Sequence, residues 1–205
     1  STQGYSSAAS DVYKRQNNSN SGGWKDSYMR KTLLGNSNNP TSPLANSLMA
    51  ALPSDLRAVM KSVTKYTDNT GNASNSSGNV AATTDYLWLL AEFEVQGGRS
   101  YANQYEQNSQ LQYDYYKAGN SKIAYKHTAV GTAVWWWLRS PNYNNNNNFC
   151  NVNTSGGNNN NNAYYSAALL PGFYRYTVKW SSQEVKDDRC KRRDTSQGET
   201  PETAL

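Results

Sequence analysis

The sequence predicts an α+β fold, helices first and a β-rich second half, on three observations. Leu44, Leu48 and Leu52 recur every four residues behind Ser42-Pro43, a pair suited to a helix start. The segment "AVWWWLRSP" places apolar residues at consecutive positions and stops at Pro141, as a strand covered on both faces does. Short strand-like runs then follow at 149–153, 163–169 and 172–178, with turn residues between them.

Taken in order, residues 1–22 are Ser/Asn-rich without apolar period and are expected to be disordered. Within them "SAASDVYKRQ" (Ser7 to Gln16) resembles a translated sequencing adapter, which places the expected start of the domain near Gly23. After the Leu44 helix, Pro53 interrupts and "SDLRAVMKSVTKY" restarts behind Ser54. Its Leu56, Val59, Met60 and Val63 fit a second helix. A loop of Asn, Ser and Gly (68–79) follows, where Asn72-Ala-Ser and Asn75-Ser-Ser match the glycosylation acceptor pattern, as such composition often does by chance. "TTDYLWLLAEFEV" reads as a buried strand turning into a short helix that Gly97-Gly98 ends. The Tyr/Gln-rich stretch 101–116 fits a helix followed by an extended piece without deciding between states. A single domain over 23–178 is expected, with 179–205 a polar, disordered tail.

Composition narrows the function classes. The chain has 205 residues, 17% charged, with a formal net charge of +5. Its basic residues cluster only in "RCKRR", interleaved with Asp187, Asp188 and Asp194, which reads as solvated tail and not a nucleic-acid patch. The two cysteines, Cys150 and Cys190, make no disulfide framework, and Cys150 between Phe149 and Val152 suits a small buried hydrophobe. One histidine, His127, allows no His-pair metal site. No Gly-rich phosphate loop, HExxH, GxSxG or paired CxxC occurs. From Asn120 to Trp180 there is no Asp or Glu, so a two-carboxylate mechanism or a hard-cation site in that half lacks its ligands. The expectation is a protein without catalytic residues, metal or cofactor. No apolar run approaches the ~20 residues of a membrane helix.

The conspicuous feature is asparagine. Thirteen of the 21 residues from Asn142 to Asn162 are Asn, out of 27 in the chain, directly behind the tryptophan strand. A prion-like tract and a neutral elongated loop are two readings. The third is a ligand face, because the Asn side chain both donates and accepts and tolerates turn conformations. Sixteen Tyr and six Trp fit either half-buried sheet positions or a binding face.

"WWWLRSP", the Asn-rich positions after it, "FCNVNTSGG" and "SAALLPGF" resemble the C-terminal region of variable proteins diversified by retroelements in phages and bacteria. "GGWKDSYMRKTLLG" and "DYLWLLAEFEV" are similar to the same domains, so the resemblance spans roughly 23–175, with the variable region about 135–175. It implies a C-type-lectin-like fold whose ligand face is rewritten by adenine-directed mutagenesis, for which Asn codons, carrying two adenines, are preferred targets. The ligand-binding, variable positions it implies are Asn142, Tyr143, Asn144, Asn145, Asn146, Asn147, Asn148, Asn151, Asn153, Asn158, Asn159, Asn160, Asn161, Asn162, Tyr164 and Tyr165. The scaffold it implies is Trp135, Trp136, Trp137, Arg139, Ser140, Pro141, Phe149 and Phe173. The partner expected is a protein or glycan on another cell or host surface, and the location a phage tail or bacterial surface. The uniform Asn departs from a diversified copy and marks an undiversified copy or a reading of the template sequence. Two other classes remain: a structural tail or surface component without a ligand, and a formylglycine-generating oxidase, which needs a reactive cysteine pair.

Overall fold

The computed structural model describes residues 4–5, 13–14, 18–35, 39–127 and 129–175, with side chains from residue 18 onward. In chain order the elements are β1 (Gly4–Tyr5), β2 (Tyr13–Lys14), α1 (Gly23–Asp26), α2 (Leu48–Ala51), α3 (Ser54–Ala58), β3 (Met60–Lys61), β4 (Val63–Asp68), β5 (Val80–Asp85), β6 (Trp88–Leu89) and α4 (Glu92–Gln96). They continue with α5 (Asp114–Lys117), β7 (Ala124–Tyr125), β8 (Ala133–Val134), β9 (Trp136–Pro141), β10 (Asn148–Val152), β11 (Asn158–Asn162), β12 (Ser166–Ala167) and β13 (Pro171–Arg175). A π-helical turn covers Met29–Leu33, and 3-10 turns cover Ser77–Asn79 and Gln104–Ser109. The class is α+β. Every strand pair is antiparallel.

Two sheets frame the molecule. β13 pairs with β1, β3 and β6, while β9, β10 and β11 form a three-stranded sheet with β10 in the centre. As the consecutive apolar run predicts, every residue of β9 is buried, and Trp136, Trp137 and Leu138 are fully enclosed. They share a core with Trp24, Trp88, Leu89, Phe149 and Val152, while Trp135 and Phe173 are partly buried against it. The helix after β6 ends where expected: Gly97 takes φ 73°, a left-handed C-cap that a side chain would strain.

Three expectations need correction. The first helix spans only Leu48–Ala51. Its cap is Ser47, whose Oγ accepts from Ala50 N at 3.2 Å, and Asn46 at φ 61° breaks the chain before it. Leu44 is consequently 45% exposed. The second helix stops at Ala58, and the rest of its expected span is extended. Met60 and Lys61 pair with Arg175 and Tyr174, and Val63–Asp68 pairs residue for residue with Val80–Asp85. Leu56, Val59, Met60 and Val63 fit a helical face, but the β-branched run Val63, Thr64 and Thr67 has a partner strand and takes it.

The folded part also begins before Gly23. Asn20 is fully buried, and Gly4–Tyr5 and Tyr13–Lys14 pair with β13 and β12. The tail expected to be disordered, with "RCKRR" and Cys190, lies outside the described residues.

Candidate functional site

An arginine in the middle of a strand buried on both faces must bring its own counter-charge. Arg139 is fully enclosed, and its guanidinium makes a two-pronged pair with Glu94: Nη1 donates to Oε2 at 2.5 Å and Nη2 to Oε1 at 2.8 Å. Its Nε donates to Thr67 Oγ1 at 2.6 Å and Nη1 also reaches Leu89 O at 2.9 Å. Burial alone would raise the Glu94 carboxyl, but Arg139 and Lys65 outweigh it and hold it near 2. The same carboxylate accepts from Ala91 N, the N-cap of α4, at 3.0 Å, so one group ties β9 to that helix.

Ser140 repeats the device. Its Oγ donates to Glu106 Oε2 at 2.6 Å and accepts from Glu92 N at 3.2 Å. Glu106 also accepts from Asp68 N and from Gln110 Nε2. Burial nevertheless dominates and pushes it up to about 7. Glu92, raised by burial too, accepts from the N–H groups of Ser100, Tyr101 and Ala102 and so shapes the turn after α4. The Arg-Ser of the tryptophan strand thus anchors a buried carboxylate layer. Sequence reasoning sought acids within 120–180 and missed these three, which come from 92–106; the signal was Arg139, a charge whose apolar neighbours leave it no solvent.

Above this layer lie the asparagines, and the two runs differ. Residues 142–148 form a loop that returns on itself, with Asn142 N donating to Asn148 O at 2.9 Å. Its shape is held from outside by Asn20. The Asn20 Nδ2 donates to the main-chain oxygens of Asn142, Asn145 and Asn148 at 3.2, 2.7 and 2.9 Å, and its N–H donates to Asn146 O at 2.7 Å. Asn20 Oδ1 is in turn held by Asn72 N at 2.8 Å. Every one of these loop contacts is made to backbone. The side chains of Asn144, Asn145 and Asn146 are exposed.

The second run is a strand and not the projecting loop that its composition predicts. Asn158–Asn162 pairs along its whole length with Asn148–Val152 and forms the outer edge of the sheet. Asparagine is a poor strand former, but β10 offers a full ladder of backbone partners, and the ladder decides. The register places Asn148 opposite Asn162, and Asn148 Nδ2 donates to Asn160 Oδ1 at 2.6 Å. The two runs therefore make one continuous face. Asn159 is exposed; Asn147, Asn148, Asn153, Asn158, Asn160, Asn161 and Asn162 are half-buried.

Two of the sixteen ligand-binding positions are corrected. Asn142 and Asn151 are each 2% exposed and cannot meet a ligand as the face stands. Asn142 opens the loop and is one of the three residues whose carbonyls Asn20 clamps, and Asn151 occupies the central strand, paired with Asn159 on one side and Trp137 on the other. Asn153 works locally, its Oδ1 accepting from Ser155 N and Gly157 N to close the β10–β11 turn. Tyr164 and Tyr165, 39% and 43% exposed, follow β11 with their rings 4.6 Å apart. Tyr143 is half-buried beneath the Arg99 guanidinium, 4.6 Å from its ring centre.

That last contact shows what the sequence reading omitted. Residues 99–101 border the asparagine face: Tyr143 N donates to Tyr101 O at 2.8 Å, and Asn158 Nδ2 donates to Ser100 Oγ at 2.9 Å. Nothing in their spacing marks them, since contacts distant in sequence, among them the Glu92 carboxylate under the N–H groups of 100–102, bring them there. Cys150 is buried with Sγ 4.0 Å from Glu92 Oε2, and His127 is exposed beyond β7. Among the described residues no three His, Cys, Asp or Glu gather to hold a metal, and no helix is long and apolar enough to cross a membrane.

The model of a family described as "Domain of unknown function (DUF6273)" matches residues 5–174. Comparison with curated proteins and with solved structures finds no match.

Proposed function

We propose that this chain, which belongs to the DUF6273 family, is a non-enzymatic ligand-binding protein that presents a variable asparagine face on a C-type-lectin-like scaffold. One observation carries the reading: the Asn20 clamp addresses only main-chain oxygens of the 142–148 loop, and the side chains that brace the loop from within are Asn142 and Asn145, whose Oδ1 atoms accept from Asn144 N and Asn147 N, so Asn144 and Asn146 can change while the loop keeps its path. Rigidity matters for binding, since ordering a loop residue on contact costs about 1–2 kcal/mol of backbone entropy. Ligand contact falls to Asn144, Asn145, Asn146 and Asn159, flanked by Tyr143, Tyr164 and Tyr165 and bordered by Arg99 and Ser100. Diversification by retroelement-directed adenine mutagenesis accounts for the monotony, and the uniform copy seen here is undiversified or template-like. The setting would be a phage tail or a bacterial surface, and the ligand a protein or glycan there.

A second observation supports a coding rather than a structural origin for these residues. Asn151 Nδ2 is buried with no hydrogen-bond partner, and so are Asn148 Oδ1 and Asn158 Oδ1. A buried amide left unpaired costs about 1–3 kcal/mol, so a residue chosen for stability would not be Asn at 151. Replacing Asn151 with Val is expected to raise the unfolding free energy by about 1 kcal/mol in urea titration. Loss of stability would show that the amide has a structural partner.

The proposal itself is tested on the triple variant Asn144→Ala, Asn146→Ala, Asn159→Ala. Its melting temperature should stay within ~2 °C of the parent, because exposed side chains without packing contribute within about 0.5 kcal/mol. A library randomised at these positions should yield folded binders to unrelated surface proteins or glycans. If the triple variant unfolds, or if no library member binds while all remain folded, the face is not a recognition surface. At the gene level, AAC or AAT codons beside a near-identical repeat differing only at adenines are expected.

A further inference from the structure

β11 is the outer strand of its sheet, and among the described residues only β10 pairs with it. Alternation fixes which backbone groups are left over. Ala163 N donates to Asn147 O at 2.8 Å and Asn153 N to Gly157 O at 3.0 Å, so the pairs bonded across to β10 fall at 157, 159, 161 and 163. The N–H and C=O groups of Asn158, Asn160 and Asn162 therefore point outward. Such an edge is a template for another strand, and proteins commonly blunt it with a charge or a proline. This one has neither. No Lys, Arg, Asp or Glu occurs from Ser140 to Tyr174, and the strand is five identical residues. Asparagine segments also stack readily on copies of themselves.

The strand that fits this edge is β11 of a second copy, because identical residues match themselves about a two-fold axis through Asn160. An antiparallel pair of that kind sets Asn160 opposite its own copy and Asn158 opposite Asn162. Asn162 O already accepts from Tyr165 N at 2.9 Å. The donors left for the pairing are then Asn160 N and Asn162 N, with Asn160 O and Asn158 O as their acceptors. Both donors are occupied. Asn160 N donates to Asn159 Oδ1 at 2.8 Å, and Asn162 N donates to Asn161 Oδ1 at 3.0 Å. The caps come from the two residues whose own backbone groups face β10, so they leave the ladder intact. A short amide side chain that reaches a neighbouring N–H competes with strand pairing in the same way elsewhere. The two side chains thus cover the two N–H groups on which self-pairing depends.

We propose that Asn159 and Asn161 guard the open edge of β11, their side-chain oxygens keeping a second copy of this chain from pairing with it. The guard follows from backbone geometry and does not require that the face have a ligand, so either reading can fail without the other. It limits what can stand at 159 and 161: a side chain without an oxygen in that place opens the edge. The test begins on the unaltered full chain by NMR hydrogen exchange. The Asn160 and Asn162 amides should exchange about 3-fold or more slowly than the outward, uncapped Asn158 amide. In dilute Asn159→Ala, Asn161→Ala they should exchange as fast as Asn158. In sedimentation equilibrium the dimer dissociation constant of that variant should fall ~10-fold or more below the parent's, while Asn144→Ala, Asn146→Ala leaves it unchanged. As the edge variant associates, its Asn160 and Asn162 amides should regain protection. Equal exchange of the three amides in the unaltered chain overturns the proposal, and that measurement needs no variant to fold. So does an edge variant that associates no more than the parent, or one that associates with Asn160 and Asn162 still unprotected.

Discussion

Replacing Arg139 with Met should cost the fold about 3–5 kcal/mol, a large fraction of the about 5–15 kcal/mol by which a domain is ordinarily stable. The loss follows from what remains behind more than from what is removed. Glu94 is 4% exposed and gives both carboxylate oxygens to Arg139; without it, Lys65 at 3.3 Å is its one remaining cation. Thr67 Oγ1 and Leu89 O would also lose their donor. The double variant Arg139→Met, Glu94→Gln should recover a substantial part of the loss, because the stranded charge is then gone. Chemical denaturation of the two single variants and the double measures the coupling. If Arg139→Met melts within ~3 °C of the parent, the buried pair does not hold β9 to α4, and the account of the strand's Arg-Ser is wrong.

Stability should peak near pH 5 and fall on both sides, for two opposed reasons. Glu94 titrates near 2 when folded, against 4.5 as an ordinary carboxyl. Its contribution is complete above about 4.5 and is lost as the pH drops toward 2. Glu106 behaves in the reverse sense. Pushed up to about 7 by burial, it binds its proton more tightly in the folded protein, so stability declines as the pH rises from 4.5 to about 7 and then stays level. Each limb amounts to something on the order of 3 kcal/mol. Urea midpoints from pH 3 to 8 should trace the maximum, and Glu106→Gln should flatten the neutral limb. The slope should be reduced and not abolished, because Glu92 is also raised by burial. A midpoint that climbs steadily from pH 5 to 8 would show that Glu106 is ionised without penalty.

What the sequence made legible was local. Consecutive apolar residues identify β9, and a glycine needed in the left-handed region ends α4; both signals lie within a few positions of the structure they specify. Features set by distant partners escaped. Strand identity for Val63–Asp68 depends on a partner beginning at Val80, and strand identity for Asn158–Asn162 on the ladder that β10 offers. Neither is written in the segment itself: one mimics a helical period, the other has side chains that favour no regular state. Of the candidate face, 14 of 16 positions remain at least partly accessible, and the two lost, Asn142 and Asn151, are lost to burial that composition cannot foresee. The carboxylates escaped for a third reason, since Glu94 and Arg139 meet across 45 residues of chain.

The hold that Asn20 keeps on the loop has a consequence for how the region can change over time. One amide engages three carbonyls at positions 142, 145 and 148, a ruler with set spacing. Exchange of one exposed side chain for another, as at Asn144 or Asn146, leaves the ruler matched. A single insertion or deletion between the first and last of those carbonyls shifts at least one of them out of reach. At Asn144 and Asn146 the loop tolerates a change of side chain far better than a change of length.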